Sequence, residues 1–232
     1  MKRIVTIQDI SCVGKCSLTV ALPIISAMGV ETAIIPTAVL STHTMFKNFT
    51  VKDLTDQIEP ITNHWKNEEI GFDALYTGYL GSFEQIDLMK KMFEEFKTDS
   101  NITFVDPAMG DHGKLYPAFD ESFAKHMATL CAVADIVVPN VTEACFMTGA
   151  EYKEVYDEAY AKDLLRKLSD LGAKIAILTG VSFEDYKIPE SIPEYSVIST
   201  QEKTDWKAKW IWDKENLTKN NTWMCFNKKV TL

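Results

Sequence analysis

Three scarcities limit what this 232-residue chain can be. It has no apolar run near the roughly 18 residues that a membrane-spanning helix needs, so we expect no membrane segment. Lys and Arg (24) are outnumbered by Asp and Glu (33), and the net charge of −9 argues against a nucleic-acid partner. Cysteine is sparse and odd in number, without a Cys-x-x-Cys pair, which argues against a disulfide framework or a zinc site: Cys12, Cys16, Cys131, Cys145 and Cys225.

The cysteine pattern and the N-terminus together predict a cytoplasmic protein. The first residues run directly into a strand-like stretch and lack the long apolar core and cleavage site of a signal peptide. An odd number of cysteines without pairs is typical of a reducing compartment. We interpret Cys12 and Cys16 as buried thiols.

Glycine and tryptophan divide the chain into two parts. None of the ten glycines follows Gly180, and four of the five tryptophans lie after residue 200. We therefore predict one domain over residues 1–185 and an atypical tail over residues 186–232, in which residues 196–199 are a further potential strand.

Within residues 1–180, strand-like runs alternate with helical patterns. Strands separated by helices imply parallel pairing through crossovers, which predicts a doubly wound α/β fold. The predicted strands are residues 4–7, 32–36, 38–40, 74–77, 102–105, 136–138 and 175–178. The predicted helices are residues 16–28, 53–66, 83–96, 119–131, 142–147 and 156–171.

Four of the predicted strands end in polar or glycine-rich residues. In open α/β sheets the ligand lies beyond the carboxyl ends of the strands, so this pattern predicts a site for a small, phosphate-bearing ligand. The four endings are Gly78-Tyr79-Leu80-Gly81-Ser82, Asp106-Pro107-Ala108-Met109-Gly110, Pro139-Asn140-Val141-Thr142-Glu143 and Thr179-Gly180.

The polar residues at these endings have a structural alternative to a functional role. Asp106 suits Mg²⁺ bound to substrate phosphates, but also a simple turn before proline. Asn140 and Glu143 suit water around Mg²⁺, but also a helix cap with an acid placed near the positive end of the helix dipole. Thr179 suits contact with a nucleotide phosphate, but also a turn.

Two further segments suit a planar organic ligand. Tyr79 lies between two glycines that allow close backbone approach, and its ring suits either a planar ligand or core packing. His43 lies in the run Ser41-Thr42-His43-Thr44, and the aromatic residues that follow could fold over a site.

Together these blocks resemble the pyridoxal (vitamin B6) kinases of the ribokinase-like superfamily, over residues 1 to about 185. The Asp-Pro-x-x-Gly and Pro-Asn-x-x-Glu blocks also occur in hydroxymethylpyrimidine kinases. The blocks that carry the resemblance are Thr6-Ile7-Gln8, Leu40-Ser41-Thr42-His43-Thr44, Thr77-Gly78-Tyr79-Leu80-Gly81-Ser82, Asp106-Pro107-Ala108-Met109-Gly110 and Pro139-Asn140-Val141-Thr142-Glu143.

The resemblance implies a three-layer, Rossmann-like fold with a mostly parallel central sheet and helices on both faces, here with its C-terminal part missing. It also implies transfer of the ATP γ-phosphoryl group to the 5′-hydroxyl of pyridoxal, pyridoxamine or pyridoxine. Such kinases are usually homodimers, use Mg²⁺ and often respond to K⁺.

By motif position, the resemblance assigns His43, Thr44 and Tyr79 to the pyridoxal pocket. Many members carry a serine where this chain has Asp9, so an acid there is expected to pair with the pyridine nitrogen or change the preferred vitamer, and Ser11 is a substitute for that serine. The ATP side is assigned to Asp106, Asn140, Glu143 and Thr179, with Asp106 and Glu143 on the metal.

One departure concerns the catalytic base. The family carries it in a Gly-x-Gly-Asp motif at the start of a late helix, and this sequence has no glycine after Gly180. We therefore assign no catalytic residue, expect binding with little turnover, and interpret the tail as a frameshifted or replaced segment. The alternatives are a hydroxymethylpyrimidine kinase and a non-catalytic B6- or nucleotide-binding protein.

Overall fold

The computed structural model describes residues 1–181 and two short strands, Trp212–Asp213 and Cys225–Phe226. The chain divides into two units: residues 1–108 with 133–135, and residues 109–132 with the chain from 136 onward. The predicted strand at residues 196–199 lies outside the described residues, as does the rest of the predicted tail apart from the two short strands. A single domain over residues 1–185 stays a prediction.

The first unit contains five strands in the order β3-β2-β1-β4-β5. All neighbours pair in parallel except β2 and β3, which are antiparallel. Val5 and Ile7 on the central strand are fully buried, as expected for a strand covered on both faces. The strands are β1 (Arg3–Ser11), β2 (Glu31–Leu40), β3 (Val51–Asp53), β4 (Ala74–Thr77) and β5 (Ile102–Val105).

Three helices belong to this unit: α1 (Leu18–Ala27), α2 (Thr55–Asn67) and α3 (Phe83–Phe96). Both predicted ends of α3 are confirmed, and Ser82 caps it by accepting a hydrogen bond from the Gln85 backbone N–H. The prediction of a helix from residue 53 was two residues early. Asp53 belongs to β3, and its carboxylate accepts the Thr55 N–H at 2.8 Å where the helix begins.

The described residues of the second unit form short strands and three helices. β8 pairs in parallel with β9, β11 is antiparallel to β9, β10 pairs in parallel with β12, and β6 and β7 form an antiparallel hairpin. The elements are β6 (Gly110–Asp111), β7 (Lys114–Leu115), α4 (Glu121–Cys131), β8 (Ile136–Val137), α5 (Val141–Thr148), α6 (Glu158–Asp170), β9 (Ile175–Ala176), β10 (Leu178–Thr179), β11 (Trp212–Asp213) and β12 (Cys225–Phe226).

One expectation from the sequence has a direct outcome in this fold. The interpretation of Cys12 as a buried thiol was wrong, because Cys12 lies in the loop after β1 and is exposed, while Cys16 is half-buried. Among the described helices, none is long and apolar enough to cross a membrane.

Asp135 fixes the segment after α4 against β5 within the first unit. Its carboxylate accepts hydrogen bonds from the Thr103 N–H at 2.8 Å and the Thr103 hydroxyl at 3.0 Å, and it also pairs with Lys97. The Asp135 N–H in turn donates to the Thr103 hydroxyl at 2.9 Å. One carboxylate thus satisfies two donors at the start of β5.

We expect Asp135→Ala to lower the free energy of unfolding by about 2–4 kcal/mol, because it leaves the Thr103 N–H without its acceptor and Lys97 without its ion-pair partner. Urea denaturation followed by circular dichroism measures the change. The matched control is Asp99→Ala, an exposed acid in the same unit, which we expect to stay within about 0.5 kcal/mol. Equal urea midpoints for Asp135→Ala and Asp99→Ala would contradict the role of Asp135 in anchoring this segment to β5.

Candidate functional site

Asp9 and Ser11 lie near the carboxyl end of β1 and are buried, at 5% and 1% exposure. The register of β1 against β2 shifts between Gln8 and Ile10, so Asp9 sits at a bulge. A bulge re-aims a side chain and is common beside binding sites. The Ser11 hydroxyl donates to Asp9 Oδ2 at 3.3 Å. The structure thus brings together the two residues that the resemblance assigned to one end of the vitamer.

Tyr79 lies in the loop after β4, near Asp9. Burial, followed by the negative charge of Asp9, raises the pKa of Tyr79, so its hydroxyl remains protonated at neutral pH. Gly78, just before it, has no room for a side chain, because a Cβ there would lie 2.7 Å from Gln8 Cδ. The close approach of this loop to β1 therefore depends on glycine.

His43 lies in the loop between β2 and β3. Its backbone N–H donates to the Val13 carbonyl at 3.2 Å, and its Nδ1 accepts the Met45 N–H at 3.3 Å. The imidazole makes an edge contact with Phe46, with ring centroids 4.8 Å apart. With Nδ1 used as an acceptor, Nε2 carries the proton of the neutral ring. Thr44, next in the chain, is exposed.

Asp106 follows β5 in the first unit and begins a tight turn. Its N–H continues the ladder by donating to the Thr77 carbonyl at 2.9 Å, and its carbonyl accepts the Ala108 N–H at 2.9 Å. Burial and then the charge of Asp106 raise the pKa of Tyr76. The half-buried carboxylate therefore lies near the end of β4, as the sequence predicted for adjacent strand ends.

In the second unit, Asn140 and Glu143 form a capping box at the start of α5. Asn140 Oδ1 accepts the Glu143 N–H at 2.9 Å, and Glu143 Oε2 accepts the Asn140 N–H at 2.8 Å. Glu143 Oε1 accepts the Met109 N–H at 3.2 Å, and the residue is only 3% exposed. Both carboxylate oxygens therefore hold backbone amides, which is the structural alternative foreseen for this acid.

The same helix start holds the β6–β7 hairpin, which the sequence analysis missed. Asn140 Nδ2 donates to the Gly110 carbonyl at 2.8 Å, and the Thr142 hydroxyl accepts the Gly113 N–H at 2.8 Å. His112 and Gly113, at the tip, have φ of 49° and 73°. The sequence feature that could have predicted this hairpin is the His-Gly pair between the two short strands, because two-residue hairpin turns need positive φ.

Thr179 ends β10 and is 7% exposed. Its N–H donates to the Pro139 carbonyl at 2.8 Å, and it bridges in parallel to Asn140. Its hydroxyl is buried and has no hydrogen-bond partner among the described residues. An unsatisfied buried hydroxyl beside a helix start is an arrangement that a ligand oxygen can complete.

The described residues give limited support for direct metal binding. Residues 1–181 contain no group of three or more His, Cys, Asp or Glu side chains that could hold an ion. Glu143 uses both oxygens for backbone amides, so direct coordination would compete with the helix cap. Asp106 and Glu143 belong to different units, and their joint role at Mg²⁺ stays a prediction.

Comparisons with known proteins agree on one family. The family model described as Phosphomethylpyrimidine kinase matches residues 20–216. A solved structure from Bacteroides thetaiotaomicron VPI-5482, named as a phosphomethylpyrimidine kinase and crystallised in a form with pyridoxal, is 41% identical with a TM-score of 0.76. That match covers 79% of this chain and 64% of the other. A curated pyridoxal kinase from Dictyostelium discoideum is 24% identical over 187 residues, covering 78% of this chain and 61% of its own.

A third likeness concerns the fold alone. The pyridoxal kinase from Leishmania donovani, in complex with ADP and pyridoxamine, is 21% identical with a TM-score of 0.67, covering 76% of this chain and 63% of that one. These likenesses confirm the predicted ribokinase-like α/β fold class with a mostly parallel sheet. The chain spans 61–64% of the length of these relatives.

We expect Gly14→Ala to displace the imidazole of His43, because a Cβ at Gly14 would lie 2.2 Å from His43 Cδ2. Gly29→Ala is the matched control, since Gly29 also has positive φ but a Cβ there would meet no atom within 4 Å. The imidazole ¹H–¹³C correlations report the ring, assigned with a His43→Gln variant. A shift in the first variant alone is the expected result, and an unmoved His43 signal in Gly14→Ala would contradict the packing.

Glu143→Ala should lower the free energy of unfolding by roughly 2–4 kcal/mol, since the N–H groups of Asn140 and Met109 lose their acceptor. Glu143→Gln should lose less, because the amide carbonyl can still accept one of them. Glu121→Ala removes a first-turn acid of α4 and serves as the control, with a change of about 0.5 kcal/mol. Chemical denaturation measures all three, and a Glu143→Ala loss no larger than the control would argue against the cap.

Proposed function

We propose that this chain, which belongs to the phosphomethylpyrimidine kinase family, binds a B6 vitamer and ATP for phosphoryl transfer to the vitamer's 5′-hydroxyl. The relatives named as pyridoxal kinases, and the one crystallised with pyridoxal, support the choice of substrate. The chain spans only part of their length, so the activity rests on this proposal.

The observation that carries the proposal is the buried carboxylate of Asp9. Its one side-chain hydrogen bond among the described residues comes from Ser11. A buried carboxylate is unfavourable unless a positive group or further donors compensate it. The protonated ring nitrogen of a pyridine supplies both a charge and a donor. Asp9 is therefore proposed to hold the ring nitrogen of the vitamer.

The neighbouring residues suit the rest of such a ligand. Tyr79, whose raised pKa reflects burial and then the charge of Asp9, offers a flat ring beside the acid. His43 offers the proton of Nε2, and Thr44 an exposed hydroxyl. In the proposal these three residues contact the ring face and its polar substituents, and Asp9 fixes the orientation.

The nucleotide part of the proposal rests on the second unit. The start of α5 and the unpartnered hydroxyl of Thr179 suit phosphate oxygens. A protein of the same fold is known in complex with ADP. Mg²⁺ would neutralise the phosphates, with Asp106 reaching it directly or through water and Glu143 through water. A response to K⁺, a homodimer and a cytoplasmic location are further proposals from the family resemblance.

Turnover is the step for which this chain lacks a family residue, since the catalytic base lies in a Gly-x-Gly-Asp motif that the 232 residues do not contain. General-base help is worth about 10²–10⁴-fold. We therefore propose that this sequence binds both substrates and transfers the phosphoryl group slowly. ADP release in a coupled assay with pyridoxal measures the rate, and rapid turnover would show that another residue supplies the base.

A hydroxymethylpyrimidine is the second candidate substrate, favoured by the description of the matching family. Direct competition distinguishes the two. Titration calorimetry of the full chain with pyridoxal, repeated in the presence of hydroxymethylpyrimidine, should show tighter binding of the vitamer. Tighter binding of the pyrimidine would replace the proposed substrate, and binding of neither would remove the kinase proposal for this sequence.

Asp9→Asn should weaken pyridoxal binding by about tenfold, the loss of one charge-assisted hydrogen bond. The analogue with a benzene ring in place of pyridine should bind both forms of the protein equally, because it has no ring nitrogen. Asp99→Asn, an exposed acid in the same unit, is the control and should bind like the unaltered chain. An equal loss for pyridoxal and the analogue would show that Asp9 shapes the pocket without contacting the nitrogen.

A further inference from the structure

Gln85 is a buried residue at the start of α3 whose side-chain amide joins three segments of the first unit. Only 1% of the residue is exposed. Its Oε1 accepts the Gly81 N–H at 2.7 Å. Its Nε2 lies 2.8 Å from the Thr55 hydroxyl, 3.2 Å from the Thr37 carbonyl and 3.3 Å from Asp53 Oδ2. The amide thus acts as donor on one side and acceptor on the other.

Each of these three segments leads to a residue of the proposed vitamer pocket. Gly81 lies two residues after Tyr79. Thr37 lies in β2, the strand before the loop that contains His43. Asp53 is the last residue of β3, the strand that follows this loop. β2 and β3 pair as Ala38 with Asp53.

Other contacts at the same point are consistent with a shared anchor. The Thr37 hydroxyl donates to the Tyr79 carbonyl at 3.4 Å, and the Leu54 N–H donates to the Thr37 carbonyl at 3.0 Å. These bonds link the two loops pairwise. The amide of Gln85 hydrogen-bonds to the Gly81, Thr37 and Asp53 segments at once.

Asn101 provides the contrast at the other end of α3. It is also a buried amide, at 5% exposure, and it uses both of its polar atoms. Its Nδ2 donates to the Phe96 carbonyl at 2.7 Å, and its Oδ1 accepts the Thr98 N–H at 2.9 Å. All of these groups lie within one local turn. We therefore take Asn101 as the example of a buried amide that only stabilises the fold, because its partners are close to it in sequence.

We propose that Gln85 is a positioning residue for the vitamer pocket: its amide holds the Tyr79 loop and the β2–β3 hairpin that carries His43 and Thr44 in one fixed arrangement. The proposal rests on the proposed function for its ligand. Gln85 acts through the backbone of these segments, and it is not itself a catalytic residue.

The chemistry of the amide explains why glutamine is required at this position. The Gly81 N–H needs an acceptor, whereas the Thr37 carbonyl and the Asp53 carboxylate each receive a further hydrogen bond from the amide donor, beside those from the Leu54 and Thr55 N–H groups. Glutamate keeps the acceptor but places a second negative oxygen opposite Asp53. Methionine fills a similar volume but offers neither the acceptor nor the donor of the amide. Both substitutions should therefore release the two loops from each other.

The test compares Gln85→Met and Gln85→Glu with Asn101→Leu in the full chain. We expect the dissociation constant for pyridoxal to rise by about tenfold in both Gln85 variants. Asn101→Leu should change it by less than about twofold, although it also removes a buried amide. Urea denaturation shows whether the variants lose similar stability. Unchanged pyridoxal binding in Gln85→Met, or an equal loss in Asn101→Leu, would overturn the positioning role.

Amide hydrogen exchange gives a readout that needs no ligand. Gln85→Met should speed exchange at Gly81 and in residues 41–55, with no change around residues 98–103, where Asn101→Leu should act instead. If the unaltered chain binds no pyridoxal, the proposed function fails, but this exchange pattern still decides whether Gln85 fixes the two loops. Exchange that is unchanged, or faster throughout the unit, would count against the inference.

Discussion

Where a buried parallel strand ends, its backbone N–H and C=O groups lose their ladder partners, and side chains must replace them. This constraint explains the roles of three polar side chains in the two units. Asp135 accepts the Thr103 N–H at the start of β5, Gln85 accepts the Gly81 N–H in the loop after β4, and Glu143 accepts two amides where α5 begins. The loops at the strand ends keep their shape because these buried groups would otherwise be unsatisfied.

The same constraint separates residues that hold backbone from residues that remain for a ligand. Glu143 has committed both oxygens to backbone amides, so it fixes the start of α5, and its proposed role at Mg²⁺ is through water. Thr179 is the opposite case, a buried hydroxyl without a partner among the described residues. Asp9 resembles Thr179 more than Glu143, because its side-chain donor among the described residues is Ser11. Ligand contact is therefore more natural for Thr179 and Asp9 than for Glu143.

The sequence predicted the regular parts of the fold well, because their signals are local. The predicted helix over residues 83–96 matches α3 at both ends, and the apolar runs located the strands. The short strand β3 and the β6–β7 hairpin were missed. β3 is fully exposed and has no apolar pattern, and the hairpin depends on positive φ at His112 and Gly113. The cytoplasmic location and the tail 186–232 stay predictions.

For the site, the sequence located residues at strand ends but could not rank their roles. Asn140 and Glu143 have the spacing of a cap and also that of a metal site, and only the hydrogen bonds distinguish the two. Nothing in the sequence indicated a role of Gln85 at the pocket. A glutamine three residues after Ser82 is an ordinary capping-box residue, and its partners Thr37 and Asp53 lie 48 and 32 residues away in the chain.

Asp9 has a consequence for the proposed function that a serine would not have. A hydroxyl can donate to an unprotonated ring nitrogen or accept from a protonated one, so serine is compatible with both states of a vitamer. A carboxylate only accepts hydrogen bonds, so the proposed pairing of Asp9 with the ring nitrogen places the proton on that nitrogen. Burial strengthens this requirement, because the charge of Asp9 is poorly screened and a cation relieves it. In such a pocket, the contact with Asp9 selects both the orientation and the charge state of the vitamer ring.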